Sequence, residues 1–302
     1  MNIEPFSLDQ LRVFSVVVET GSFSAAAKRL QRAQSAVSYA IAALEGQLGI
    51  GLFDRSAKRP QLTRAGQALL ADARAVLAKA DAFLARAAGF GRGVEAEVSL
   101  VVDVLYPGHL LPSVFAELRA AYPTVAIRLE IEALGAVTER VVGGATQIGI
   151  FEGTVHDGTG LSATALHAVR LVPVAAPGHA LAQVTGTIET DVAAEHVQLV
   201  LTDRSRVTEG RDFDVISRQP WRLGDLATKR AMLLAGTGWG TMPMHLVAAD
   251  LAEGRLVRLR IAGFPPEGTS HPLFLARRTD RALGPAGLWL WQRLLSHDSA
   301  RI

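Results

Sequence analysis

The sequence predicts a chain in two parts. The first is a mainly α winged helix-turn-helix domain extended by one long helix. The second is a two-lobed α/β domain. Three observations carry this. Residues 22–48 hold two short apolar-periodic stretches separated by a break. Residues 64–88 hold one long uninterrupted helical pattern, closed by Gly89, Gly91 and Gly93. From residue 95 onward, β-prone runs alternate with helical patterns, and such alternation marks an α/β sheet.

Leu8, Leu11, Phe14, Val17 and Val18 recur at helical spacing, so the first helix covers residues 8–20, with Gly21 as its stop. Ala26, Ala27 and Leu30 give a second, small-faced helix. After a break at residues 31–33, Val37, Ile41, Leu44 and Leu48 are spaced four, three and four. Alanines allow close helix crossing, and the second helix of such a pair must project past the first. Its off-stripe residues are Gln34, Ser35, Ser38 and Tyr39, side chains able to meet base edges or phosphates. No Lys or Arg lies between Arg32 and Arg55. Cationic clamps flank the helix instead: Lys28, Arg29 and Arg32 before it, and Arg55, Lys58 and Arg59 after it. Two short strand-like pieces around residues 56–60 read as a basic wing. Over residues 21–64 the basic residues outnumber the acidic by seven to two, although the whole chain carries only +2. Positive charge concentrated beside a polar helix face indicates a double-stranded DNA partner rather than general solvated charge.

This stretch resembles the N-terminal domain of the LysR-type transcriptional regulators. The carrying residues are Leu11, Phe14 and Val17, then GSFSAAAKRL, QSAVSYAIAALEGQLGIGLFDR and LTRAG. The departures are Ser35, where that family often has proline, and Tyr39, where it often has a basic residue. The domain type carries over; an operator sequence does not.

In the long helix, Leu70, Ala73, Leu77, Ala80 and Leu84 alternate at three and four, and Leu69, Val76 and Phe83 widen the stripe. Thr63 is its N-cap. The stripe reads as a short coiled-coil seam for dimerisation; packing on its own chain is the other reading. The resemblance implies a linker helix that pairs two DNA-binding domains, with recognition helices about 34 Å or a multiple of it apart. The expected domains are therefore residues 1–63, a linker and hinge at 64–94, and an effector domain at 95–302.

In that last region, residues 98–102, 125–131, 147–151, 169–175, 197–201, 238–242, 256–261 and 273–276 read as strands. Residues 109–121, 137–142, 226–235 and 288–295 read as helices, and Pro243 opens another. Two α/β halves suggest lobes at about 95–165 with 270–302, and 166–269. HLLPSVFAELRAAYPTVAIRLE, VRLVPVAAPGHALA and LLAGTGWGTMPMHLV resemble the periplasmic-binding-protein-like effector domain of the same family. Two crossover strands would join the lobes.

Ligand sites in such domains lie at strand C-terminal ends, between lobes. That rule selects Asp103, Leu105 and Tyr106; Glu132 and Leu134; Phe151 and Glu152; and Thr202, Asp203, Arg204 and Ser205. Each also has a plain reading as a turn or cap residue. Arg204 could hold a carboxylate and Tyr106 or Phe151 an aromatic ring, whereas Asp103 and Glu152 would repel an anion.

Other chemistries find little support. GTGWG at residues 236–240 follows a helical pattern and precedes Met-Pro, the reverse of a dinucleotide loop. The eight histidines stand at no ligand spacing, and the chain has no cysteine, so no metal, cofactor or catalytic constellation is predicted. The N-terminus lacks a secretory pattern and no apolar run spans a bilayer, which together point to a cytoplasmic protein. The expected function is a ligand-responsive regulator that binds a partly palindromic promoter site as a dimer or tetramer, is not an enzyme, and has RNA polymerase as a candidate further partner. The rivals are a solute-binding or enzymatic α/β protein with a helical appendage, and an architectural DNA binder.

Overall fold

The computed structural model describes residues 6–54, 60–91, 93–153, 160–202, 205 and 214–299. The chain forms two compact units, residues 1–91 and 92–302.

In the first unit, α1 (Leu8–Thr20), α2 (Phe23–Leu30) and α3 (Gln34–Leu48) enclose a small core. Ser7 opens α1 with a reciprocal capping box to Gln10, and Gly21 closes it at φ 69°. Gln31, at φ 54°, makes the turn between α2 and α3. Val37, Ile41 and Leu44 bury the inner stripe of α3 against Phe14, Val17 and Ala27, as the spacing predicts. β1 (Phe53–Asp54) and β2 (Gln61–Leu62) pair antiparallel as the base of the wing. Arg55, Lys58 and Arg59 lie outside the described residues.

α4 (Arg64–Gly91) has 28 residues, about 42 Å, and runs three residues past its expected end. Thr63 caps it as expected: its Oγ accepts from the Gly66 amide at 2.9 Å and donates to the Gly51 carbonyl at 2.7 Å. The expected seam divides. Ala73 is buried within its own unit, where Leu70 and Leu77 pack beside it. Ala80 is half-buried. Among the described residues of this helix, Leu84, Phe83 and Val76 leave large apolar side chains exposed. The first turns of α4 lie over α1, so the own-chain reading holds there and the apolar outer face begins further along.

In the second unit, β3 (Glu97–Asp103), α5 (Leu111–Ala121), β4 (Ala126–Glu132), α6 (Gly135–Val142) and β5 (Ile148–Glu152) build the first lobe. β6 (Leu161–Ala175) leads into the second, which holds α7 (Thr190–Ala194), β7 (Gln198–Leu201), β8 (Pro220–Leu223), α8 (Leu226–Leu234), β9 (Trp239–Pro243), α9 (Met244–Ala252) and β10 (Val257–Arg258). β11 (Thr269–Arg278) returns, and α10 (Pro285–Ser299) closes the chain on α5. The sheet order is β4-β3-β5-β11-β6-β9-β7-β8, with β10 beside β6.

β6 and β11 are the two crossover strands, and both are longer than the periodicity implied. The far end of β11 pairs with β5 in the first lobe, and the far end of β6 pairs with β9 in the second. Residues 165 and 270, the expected lobe limits, lie within these two strands. The pairing of β11 with β6 shifts register between Pro272 and Phe274. β8 and α7 have no clear signal in the sequence, because four or five residues are too few to show a period.

The glycines of GTGWG belong to a helix end, as read. Gly236 takes φ 74°, the amides of Gly236 and Thr237 bond back to Leu233 and Met232, and the chain turns into β9. A Cβ at Gly238 or Gly240 would meet the carbonyls of Val197 or Leu199 at 2.5 Å, so these glycines let β9 lie against β7.

Candidate functional site

The first site is the outer face of α3. Gln34, Ser35, Ser38 and Tyr39 are exposed opposite the buried stripe, Tyr39 by 77%. No side chain caps the start of the helix at Ala33. Lys28 is exposed and forms no ion pair among the described residues. Arg29 pairs with Glu19 at 3.0 Å, and Arg32 holds Asp9 through two bonds of 2.7 and 2.8 Å. Arg32 therefore braces the helical turn against the start of α1, a role the sequence did not signal. Such exposed pairs contribute little stability and yield readily to a competing anion. Glu45 was also missed. Its carboxylate accepts from the amides of Leu52 and Phe53 at 2.7 and 3.1 Å, tying α3 to the wing.

The second site is a cleft in the α/β unit, of about 650 Å³ including its open mouth. Of the residues selected from strand ends, Leu105, Leu134 and Glu152 line it. Asp103 does not line it. Its buried carboxylate accepts from the amides of Leu105 at 2.8 Å and Leu134 at 3.1 Å, and so shapes the wall. Leu134 is held there at φ 51°, a conformation unusual for a leucine. Tyr106 and Phe151 are core residues: Tyr106 lies near His167, and Phe151 stacks on Phe274. Glu132 and Thr202, both half-buried, and Ser205 stand outside the lining; Asp203 and Arg204 lie outside the described residues.

The structure adds residues that no strand-end rule selects. His271 of β11 meets Glu152 at 3.1 Å. Gln198 of β7 donates to the Asp214 carbonyl at 2.7 Å and accepts from the amides of Ile216 and Ser217. Lys229 of α8 is 3% exposed. Thr241, Asp214, Leu171 and further aliphatic residues of β7 and α8 also line the wall. A lysine in an amphipathic helix reads as solvent-facing, so only packing reveals Lys229. The fold also brings His109 near His245 and His179 near His196. Among the described residues no group of three or more His, Cys, Asp or Glu could hold a metal.

Burial, reinforced by the nearby Glu152, raises the Asp103 carboxyl to about 7, against the pull of its two amide bonds. A carboxyl raised from an ordinary value near 3.8 binds more protons folded than unfolded between those limits. Its stabilising contribution is complete below pH 3.8 and is lost as pH rises through about 7. Asp103→Asn is expected to flatten that fall by more than about 1 kcal/mol, as urea unfolding at pH 4.5 to 7.5 would measure.

A helix-turn-helix with an outward polar helix, joined to a two-lobed α/β unit with a cleft, defines a ligand-responsive DNA-binding protein. Residues 8–67 match the model of the bacterial regulatory helix-turn-helix protein, lysR family, and residues 91–299 match the LysR substrate binding domain. The chain belongs to the LysR family of transcriptional regulators. It is 31% identical to the probable HTH-type transcriptional regulator YhaJ of Escherichia coli, over 94% of each chain. It is 31% identical to the HTH-type transcriptional activator AllS of Salmonella typhimurium, over 90% of this chain and 88% of that one. The full-length regulator LysG of Corynebacterium glutamicum, solved with bound effector Arg, shares the fold at a TM-score of 0.52 and 20% identity, over 97% and 98% of the two chains. No helix among the described residues is long and apolar enough to cross a membrane.

Proposed function

We propose that this regulator reads promoter DNA through the outer face of α3 and is clamped to phosphates by the basic residues on either side of it. The observation that carries this reading is the contrast within α3: Tyr39 is 77% exposed while Ile41 is 1% exposed. A polar, nearly uncharged face can enter a major groove only if cations nearby hold the backbone. Lys28 fits that task among the described residues, Arg29 and Arg32 can exchange carboxylates for phosphates, and Arg55, Lys58 and Arg59 would complete the clamp from the wing.

Two copies would pair through the exposed apolar residues of α4, with Leu70, Ala73, Leu77 and Ala80 supporting that helix, and so bind a partly palindromic site as a dimer or tetramer. A small effector between the lobes would shift their arrangement and with it the spacing of the DNA-binding pairs. The cleft is assigned a binding task rather than a catalytic one, RNA polymerase a contact at the promoter, and the cytoplasm the compartment.

Footprinting on the promoter region adjoining the protein's own gene, with a salt series, tests the reading. Protection of a symmetric site that weakens as salt rises supports it, and indifference to duplex DNA at low salt refutes it. Lys28→Ala should weaken binding to all sequences alike and reduce the salt slope by about 1. Ser38→Ala and Tyr39→Ala should instead change the preference among sites. The opposite pattern would exchange reader and clamp.

A further inference from the structure

Lys229 is a charged side chain that the fold has buried without a partner. It is 3% exposed, yet it lines the cleft. Among the described residues no carboxylate and no hydrogen-bond acceptor meets its ammonium. Its path is built: a Cβ at Gly240 would stand 3.2 Å from Lys229 Cε, so glycine at that position leaves room for the lysine stem. The cleft wall is largely aliphatic, with Leu105, Leu134, Leu171 and Leu201. Of the other charged groups along the cleft, Glu152 is engaged by His271 at 3.1 Å, and Asp214, between β7 and β8, is exposed and forms no ion pair with Lys229.

A buried, unpaired cation is costly, and removing it would ordinarily stabilise a fold. It is retained at little net cost when an anion completes it. We propose, building on the reading of the cleft as the effector site, that the effector is a small monocarboxylic acid with an apolar body, its carboxylate held by Lys229 and its body by the leucines. One unpaired cation matches one carboxylate. A second carboxylate would lie against the leucines, Glu152 or Asp214 with nothing to compensate it. Glu152 and His271, at the other side, can accept or donate one hydrogen bond and so favour an acid bearing a single polar substituent. Burial lowers the Lys229 ammonium only to about 8, so it still carries its charge at neutral pH.

The test is thermal unfolding of the full chain with benzoate, 4-methylpentanoate and octanoate, each beside its primary amide, in wild type, Lys229→Met and Lys229→Gln. At least one acid should raise the wild-type Tm by about 5 °C when present near 100 times its Kd, and its amide should not. Both variants should lose that response while melting at or above the wild-type temperature without ligand, because they no longer bury an unpaired charge. Lys229→Arg should recover part of the response. If amides stabilise as well as acids, or if Lys229→Met keeps the acid response, the cleft stands as a binding site and the carboxylate assignment fails. If neither acids nor amides shift the wild-type Tm, both fail. The acid–amide comparison in wild type needs no variant, so it decides even if a substitution disturbs folding.

Discussion

Gly66→Ala is expected to destabilise the DNA-binding unit by about 3 kcal/mol or more, although alanine is the better helix former by about 1 kcal/mol. Gly66 lies in the first turn of α4, directly against the end of the strap that leads into the wing. A Cβ there would stand 2.2 Å from the Leu52 carbonyl oxygen and 3.0 Å from Leu62 Cδ2. The first of these is backbone, and it is held from several sides. Glu45 takes the Leu52 amide, the Thr63 amide bonds to the Leu52 carbonyl at 3.0 Å, and the Leu52 side chain is fully buried. The wing base and the start of α4 would have to separate together, and close packing leaves no direction for the shift. Calorimetry should show the transition of the first unit lowered and that of the α/β unit unchanged, with DNA binding lost at temperatures where the α/β unit is intact. A Gly66→Ala protein as stable as wild type would show that the two segments are not in contact in solution.

Asp250→Ala is expected to cost the second lobe about 2 to 3 kcal/mol. Asp250 is fully buried on α9 and accepts four bonds: from Arg230 Nε and Nη2 at 2.6 and 2.7 Å, and from Arg255 Nε and Nη2 at 2.9 and 2.7 Å. It joins α8, α9 and the segment after α9. Both guanidinium groups are part-exposed, so water re-solvates them once the carboxylate is gone, and the cost falls toward the lower end for a broken buried pair. The arginine bonds hold the Asp250 carboxyl below its ordinary value near 3.8. Its contribution is present above that value and is lost as pH falls through the lower folded one. Urea unfolding at pH 7 should reveal the full difference between wild type and Asp250→Ala, and the difference should shrink in strong acid. Because α8 also carries Lys229, the variant should weaken effector response as well as stability.

How much was legible in advance differs between the two sites. The outer face of α3 was readable because a helix converts spacing directly into sides: Val37, Ile41 and Leu44 fall inward, and Ser35, Ser38 and Tyr39 follow outward with no further information. The cleft was readable only in outline. Strand-end reasoning reached Leu105, Leu134 and Glu152, which line it. It could not separate them from Asp103, Tyr106 and Phe151, because alternation in a sheet covered on both faces distinguishes neither face as the open one. Glu45 and Arg32 were likewise passed over, one in the last turns of a helix and one among presumed clamps, since neither role exists until the wing and α1 are in place.

The order of the elements long enough to show a period, the helix ends at Thr63 and Gly21, and the inner and outer sides of α3 were written in the chain itself, since each depends on residues within a few positions of one another. What tertiary structure alone decided was which long-range neighbours meet: Ala73 against its own α1 rather than a partner, Asp103 folded into a wall, and Lys229 enclosed beside a cleft. Burial of a charge depends on what the rest of the fold places around it, and helical spacing carries no record of that.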